Sequence, residues 1–166
     1  VTHSTHIVGV DPGLVHTGVV SMLFMPGTKR VRVLHKAVLG TDAHAVADWI
    51  NLDAGGKTFR PDIWIEGYRS RSNLSSDARM IKAVADMRAV TRGKVLDNTG
   101  VKKVVKQPTM ELLGVWNFAT PTHHQDLRSA ARIAILGMLK DPDQNRLIAD
   151  IVKAHLAGTP WTITTT

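Results

Sequence analysis

The sequence predicts an α/β domain built on one mixed five-stranded sheet, three antiparallel strands followed by parallel ones, with helices on its faces. Apolar, β-branched runs of strand length crowd residues 6–39, joined by tight turn signals. From Thr41 onward, segments with helical spacing alternate with short apolar runs, the pattern of crossover connections. No Gly/Ser linker and no internal repeat divides the 166 residues, so a single domain over 1–166 is expected.

His6–Val10 is the first strand, closed at once by the turn signal Asp11-Pro12-Gly13. Thr17–Met25 is the second, and Pro26-Gly27-Thr28-Lys29 turns the chain. Val31, Val33 and Ala37–Leu39 supply a third strand with partial alternation, completing an antiparallel meander. Thr41-Asp42 starts a helix carrying Ala45, Val46, Trp49 and Ile50 at helical spacing, and Gly55-Gly56 ends it. Asp62–Glu66 is a short apolar strand, expected parallel to the first. Ser72-Asn73 or Ser75-Ser76 caps a long helix reaching about Val90, with Leu74, Ala78, Ile81, Ala85 and Ala89 on its apolar side. Val101–Val105 is expected as the fifth strand, closed by Pro108. A helix over Thr122–Lys140 follows, Asp141-Pro142-Asp143 breaks it, and Gln144–Leu156 has the pattern of a terminal amphipathic helix. Thr162–Thr166 is expected to fray. The element order is similar to the ribonuclease H-like arrangement, which by itself fixes no activity.

Three acids fall at the ends of apolar elements: Asp11 after the first strand, Glu66 at the end of the fourth, Asp126 in the first turn of the long helix. Each has an ordinary explanation as a turn residue, a solvated strand end or an acid at a helix N-terminus. If the first and fourth strands are parallel neighbours, however, all three meet at one sheet edge. Like charges gathered there destabilise the fold unless a cation neutralises them. Oxygen ligands in a chain without cysteine favour a hard ion, Mg²⁺ or Mn²⁺, over zinc. Two such ions, about 3.5–4 Å apart, suit in-line displacement at a phosphodiester. His123, three residues before Asp126, shares its helix face. That spacing fits a ligand to the second ion, a group positioning the attacking water, or a plain helix-start histidine. His124 points elsewhere and reads as a surface residue.

The formal charge of +7 and pI of about 10.1 fit a polyanionic partner, or simply a basic enzyme kept soluble by its lysines. The bases are spread through the domain: Lys29-Arg30, Arg69 with Arg71, Arg92 with Lys94, Lys102-Lys103 and Lys106. With one Tyr and three Phe, the chain is poor in stacking platforms for single strands, so a duplex or branched duplex fits better. Arg69, Arg71 and Asn73 follow Glu66 and suit phosphate contacts or a solvated loop. Tyr68 suits a wedge at a branch point or packing on the sheet. Lys102, Lys103 and Lys106 suit DNA contact or protection of a sheet edge. No apolar run approaches the roughly 18 residues needed to span a bilayer, and Val1-Thr2-His3-Ser4 lacks a signal-peptide layout.

Ile7-Val8-Gly9-Val10-Asp11-Pro12-Gly13 with Thr17-Gly18 resembles the first motif of the RuvC-type Holliday junction resolvases. Trp64-Ile65-Glu66 resembles their second acidic strand, and His123-His124-Gln125-Asp126 with Ala130-Ala131 their final helix, where an HxxD or DxxD pair precedes small residues. The resemblance implies Asp11, Glu66, His123 and Asp126 as metal-site residues. It further implies Mg²⁺ dependence, a homodimer, cleavage of four-way junctions, and a cytoplasmic location in a bacterial or phage-infected bacterial cell. Between Pro108 and His123 the chain is shorter than the family pattern and lacks its Gly- and Lys-rich helical segment, a form similar to divergent, phage-borne members. The competing expectations are a flap endonuclease or exonuclease with the same metal site, and a DNA-binding module that has lost catalysis. An actin-like ATPase lobe would need a second lobe for which the chain has no room.

Overall fold

The computed structural model describes residues 3–53, 60–69, 75–120 and 122–165. The meander forms as expected: β1 (Thr5–Asp11), β2 (Thr17–Met25) and β3 (Arg30–Leu39) pair antiparallel in sequence. Helix α1 (Ala43–Asp53) crosses to β4 (Asp62–Gly67), which pairs parallel to β1 in the register Gly9 to Trp64 and Val10 to Ile65. Helix α2 (Ser75–Thr91) leads to β5 (Lys94–Asp97), and two short helices follow, α3 (Val101–Val104) and α4 (Gln107–Leu112). Helices α5 (His124–Lys140) and α6 (Pro142–Leu156) precede a last strand, β6 (Thr162–Thr165). The sheet order is β5-β4-β1-β2-β3-β6. Among the described residues no helix is long and apolar enough to cross a membrane.

The period of two in β1 and β4 sorts their side chains between two cores. Ile7 and Trp64 enter a cluster with Leu127, Ala130, Ile133 and Ala134 of α5. Val8, Val10 and Ile65 face the other way, onto Val46 and Ile50 of α1 and Val84 and Met87 of α2. Helix α5 lies close on its face of the sheet because Gly9 has no side chain: a Cβ there would fall 1.8 Å from the Ala130 carbonyl oxygen. Asp11 and Glu66, two residues beyond Gly9 and Trp64, inherit the α5 face.

Four sequence expectations change. The fifth strand is Lys94–Asp97, and Val101–Val104 is helical. Strand alternation would have turned Lys103 inward with Val101 and Val105. A helical turn buries those two valines, four residues apart, and leaves Lys102 and Lys103 in water. The threonine-rich end does not fray: buried Trp161 anchors it, and Thr162–Thr165 adds a sixth strand parallel to Arg30–Val33. On α2 the stripe Ala78, Ile81, Ala85 and Ala89 is exposed, and Val84 and Met87 face the core in its place. The chain break at Asp141-Pro142-Asp143 serves both helices, since the Asp141 carboxylate accepts from the backbone N–H of Asp143 and Gln144 and so caps α6. The expected Gly55-Gly56 stop and the alternative start at Ser72-Asn73 with Leu74 lie outside the described residues.

Candidate active site

Register brings the acids together. Asp11 and Glu66 each follow the last parallel pair, Val10 with Ile65, so both leave the sheet at one edge and on the α5 face. Asp11 pairs across β2 with Gly18, and a Cβ on Gly18 would lie 2.4 Å from the Asp126 carbonyl oxygen and 3.1 Å from Asp126 Cβ. The first turn of α5 therefore rests on the backbone beside Asp11, which explains in physical terms why glycine follows Thr17.

Electrostatics registers the convergence. The Asp11 carboxyl is pushed up to about 9, first by burial, then by the charge of Glu66, contact with Glu66, and the charge of Asp126. Glu66 is half-satisfied: Asn98 Nδ2 donates to Oε1 at 2.5 Å, while Oε2 is buried with no partner. His123 caps α5 from a left-handed backbone (φ 62°), so it stands just outside the helix on which the sequence placed it. Its Nδ1 is nonetheless 3.1 Å from Asp126 Oδ2. The ring of His16, delivered by the turn after Asp11, packs edge-on against His123 with centroids 4.4 Å apart. His124, expected on the surface, is half-buried with an unpartnered buried Nδ1.

Three carboxyl groups are hard oxygen donors, with one borderline imidazole beside them, and an orphaned buried carboxylate oxygen is what a cation would satisfy. Among the described residues, no three His, Asp or Glu side chains yet surround a common point as metal ligands do. Asp11 instead relieves the repulsion by holding a proton.

A cleft of about 500 Å³ opens from Glu66, lined further by Asn98, Lys102, Lys103, Ser129 and Arg132. Lys102 and Lys103 reach it from α3, not from a strand as expected, whereas Lys106 caps α4 and is exposed without lining it. Burial lowers the pKa of Arg132 from its ordinary value, Glu66 opposes that shift, and Arg128 adds to it. Tyr68 turns away from the acids: its hydroxyl donates to Asp77 in the first turn of α2, and it lines a separate groove with Arg69, Ile81, Val84 and Val95. Exposed Arg69 lies near enough to help hold Asp97 below its ordinary pKa, behind the larger effect of hydrogen bonds from Thr99. Arg71 and Asn73 lie outside the described residues.

Sequence reasoning missed His16, Asn98, Ser129 and Arg132. The spacing Asp126, Ser129, Arg132 carried a signal, three helical residues on one face with a charge inside an apolar run. Asn98 was hidden with β5, and His16 had no signal.

The fold is ribonuclease H-like, of the kind found in the RuvC-type resolvases. It matches the structure of Thermus thermophilus RuvC in complex with a Holliday junction substrate at TM-score 0.50 and 17% identity, over 95% of this chain and 98% of the other. It also matches the yeast mitochondrial Holliday junction resolvase Ydc2 at TM-score 0.50 and 13% identity, over 93% of this chain and 84% of that one. No protein-family model matches the chain, and no curated protein matches its sequence.

Proposed function

We propose that this protein is a divalent-metal-dependent endonuclease acting on branched DNA, with the four-way junction as its preferred substrate. The observation that carries this reading is the meeting of Asp11, Glu66 and Asp126 at one sheet edge, with Glu66 Oε2 unpartnered beside a basic cleft. The residues fit Mg²⁺ or Mn²⁺, held by Asp11, Glu66 and Asp126 with His123 as a fourth group. Two bound ions would supply Lewis acidity at the phosphodiester. The chain's own residues do the positioning. Asn98 holds one oxygen of Glu66 and leaves the other, buried and unpartnered, for a metal ion. His123 braces Asp126, and His16 braces His123. Lys102 and Lys103 draw the DNA backbone toward the acids, a sequence-independent attraction that weakens with salt.

The substrate class is favoured by the shared fold with two resolvases and by the chain's net charge of +7. A resolvase that cuts paired strands works as a homodimer. The exposed stripe Ile81, Ala85, Ala89 with Val95 of edge strand β5 is an apolar surface available for that contact.

Incubation of the protein with a four-way junction, a flap and a single strand, with Mg²⁺ or Mn²⁺, tests the proposal beside Asp11→Asn. The junction is expected to be nicked, and the variant to leave it intact. A flap cut far faster than the junction would replace the resolvase reading with a flap endonuclease. No cleavage of any substrate, together with no carboxylate-dependent metal binding, would leave only a binding module.

A further inference from the structure

Arg132 is buried inside α5 between Ala131 and Ile133, with 7% of its surface exposed. Taking a guanidinium out of water is costly unless an acid or a set of acceptors receives it. Here Nε is buried without a hydrogen-bond partner, and among the described residues no carboxylate forms an ion pair with the group. Its guanidinium carbon lies 6.0 Å from the Trp116 ring centroid, at the outer limit of a cation–π contact. Arg128 packs closer over Trp116, at 3.9 Å, and donates to its carbonyl at 2.7 Å, so Trp116 leaves the Arg132 N–H groups without an acceptor.

Arg132 opens onto the cleft beside Glu66, where Lys102 and Lys103 add positive charge and, among the described residues, Glu66 is the one acid in the lining. A buried, forked donor whose Nε has no hydrogen-bond partner, lining a cleft with two lysines, is suited to a planar pair of anionic oxygens. We propose that Arg132 is a catalytic residue that binds the non-bridging oxygens of the phosphodiester seated against Glu66, the one to be cut, while Lys102 and Lys103 hold the adjoining strand. This assignment rests on the nuclease reading above. It also explains why an arginine is kept in a helix segment whose neighbours are apolar: its donors are completed by substrate.

Arg132→Met, Arg132→Gln and Arg132→Lys test it in the intact chain. With a saturating four-way junction in single turnover, Met and Gln are expected to slow cleavage by about 100-fold, as loss of one preorganised donor to a reacting oxyanion does. Lys is expected to recover only part, since an ammonium lacks the fork. The Tm of Arg132→Met should stay level or rise, because an uncompensated buried charge has been removed. Mn²⁺ affinity by calorimetry should stay within about two-fold of wild type. A Met or Gln variant that cuts within about three-fold of wild type overturns the assignment. So does a loss of rate fully accounted for by lost Mn²⁺ binding or a lowered Tm. A readout independent of cleavage is the ¹⁵N resonance of Arg132 Nε during titration with a junction in Ca²⁺. A shift at saturation supports the contact, and no shift overturns it. If wild type cuts no DNA while the resonance still moves, the nuclease reading falls and the phosphate contact stands.

Discussion

The two ends of β4 each carry an acid, and the protein treats them differently. Asp62, at the start of the strand, receives Gln144 Nε2 on Oδ2. Glu66, near its end, is held on one oxygen by Asn98 and left with the other buried and alone. Helix α5 accounts for the geometry of both. It begins against Gly18 at the Asp11 edge, passes Gly9 at Ala130, and ends near Asp141, whose cap sets Gln144 opposite Asp62. At one end the carboxylate is hydrogen-bonded by a side chain of α6; at the other, three carboxyl groups converge and one buried oxygen has no partner. A buried carboxylate oxygen without a partner is a place an ion can satisfy.

Substitutions at the two ends should therefore separate stability from activity. The largest expected effect is in cleavage: Asp11→Asn or Glu66→Gln should reduce junction nicking by roughly 1,000-fold or more, as loss of transition-state charge stabilisation does. Metal-free Asp11→Asn should melt no lower than wild type near neutral pH, since it removes the cost of taking up a proton at this carboxyl on folding; a collapse of the fold would mean that Asp11 is structural. Gly18→Ala comes next. A methyl group forced against the Asp126 backbone should cost about 1–3 kcal/mol in denaturant melts and depress cleavage disproportionately by displacing Asp126 from Asp11. At the compensated end, Asp62→Asn should cost only about 1 kcal/mol and leave the cleavage rate unchanged. Equal losses of activity at Asp62 and Glu66 would erase the contrast.

The subtlest effect is on pH dependence. Asp11 holds its proton up to about 9 in the folded, metal-free protein but only to about 3.8 in the unfolded chain. Between those values the folded state binds more protons, so stability is greatest at the acid end and falls as pH rises toward 9. Thermal melts from pH 5 to 9 should reveal that decline at this site, reduced in Asp11→Asn and in saturating Mn²⁺. An identical profile for wild type and variant would remove Asp11 as its source.

Much of this was readable before the structure. The Asp-Pro-Gly and Thr-Gly signals place Asp11 and Gly18, and period-two alternation puts Asp11 and Glu66 on one face once β1 and β4 are parallel. The α5 helix was legible from its apolar spacing, and Asp126 with it. What was not legible depended on competition between near-equal patterns. Val101-Lys102-Lys103-Val104-Val105 has β-branched residues that favour a strand, yet burial of Val101 and Val105 without Lys103 favours a helical turn. Two stripes of α2 share the helical period, and only packing decides that Val84 and Met87 go inside while Ile81 and Ala85 stay out. The cleft depends on both the missed β5 and the misread α3, which is why Arg132 and Asn98 escaped notice while the acids did not.

We propose the edge that gathers Asp11, Glu66 and Asp126 as a metal site. Calorimetric titration of the protein with Mn²⁺ near pH 8, beside Asp11→Asn, Glu66→Gln and Asp62→Asn, tests it directly. Saturable binding is expected for wild type and Asp62→Asn, with proton release from Asp11, and at least about ten-fold weaker binding for the other two. Equal Mn²⁺ affinity in all four proteins, or none in wild type, would contradict it.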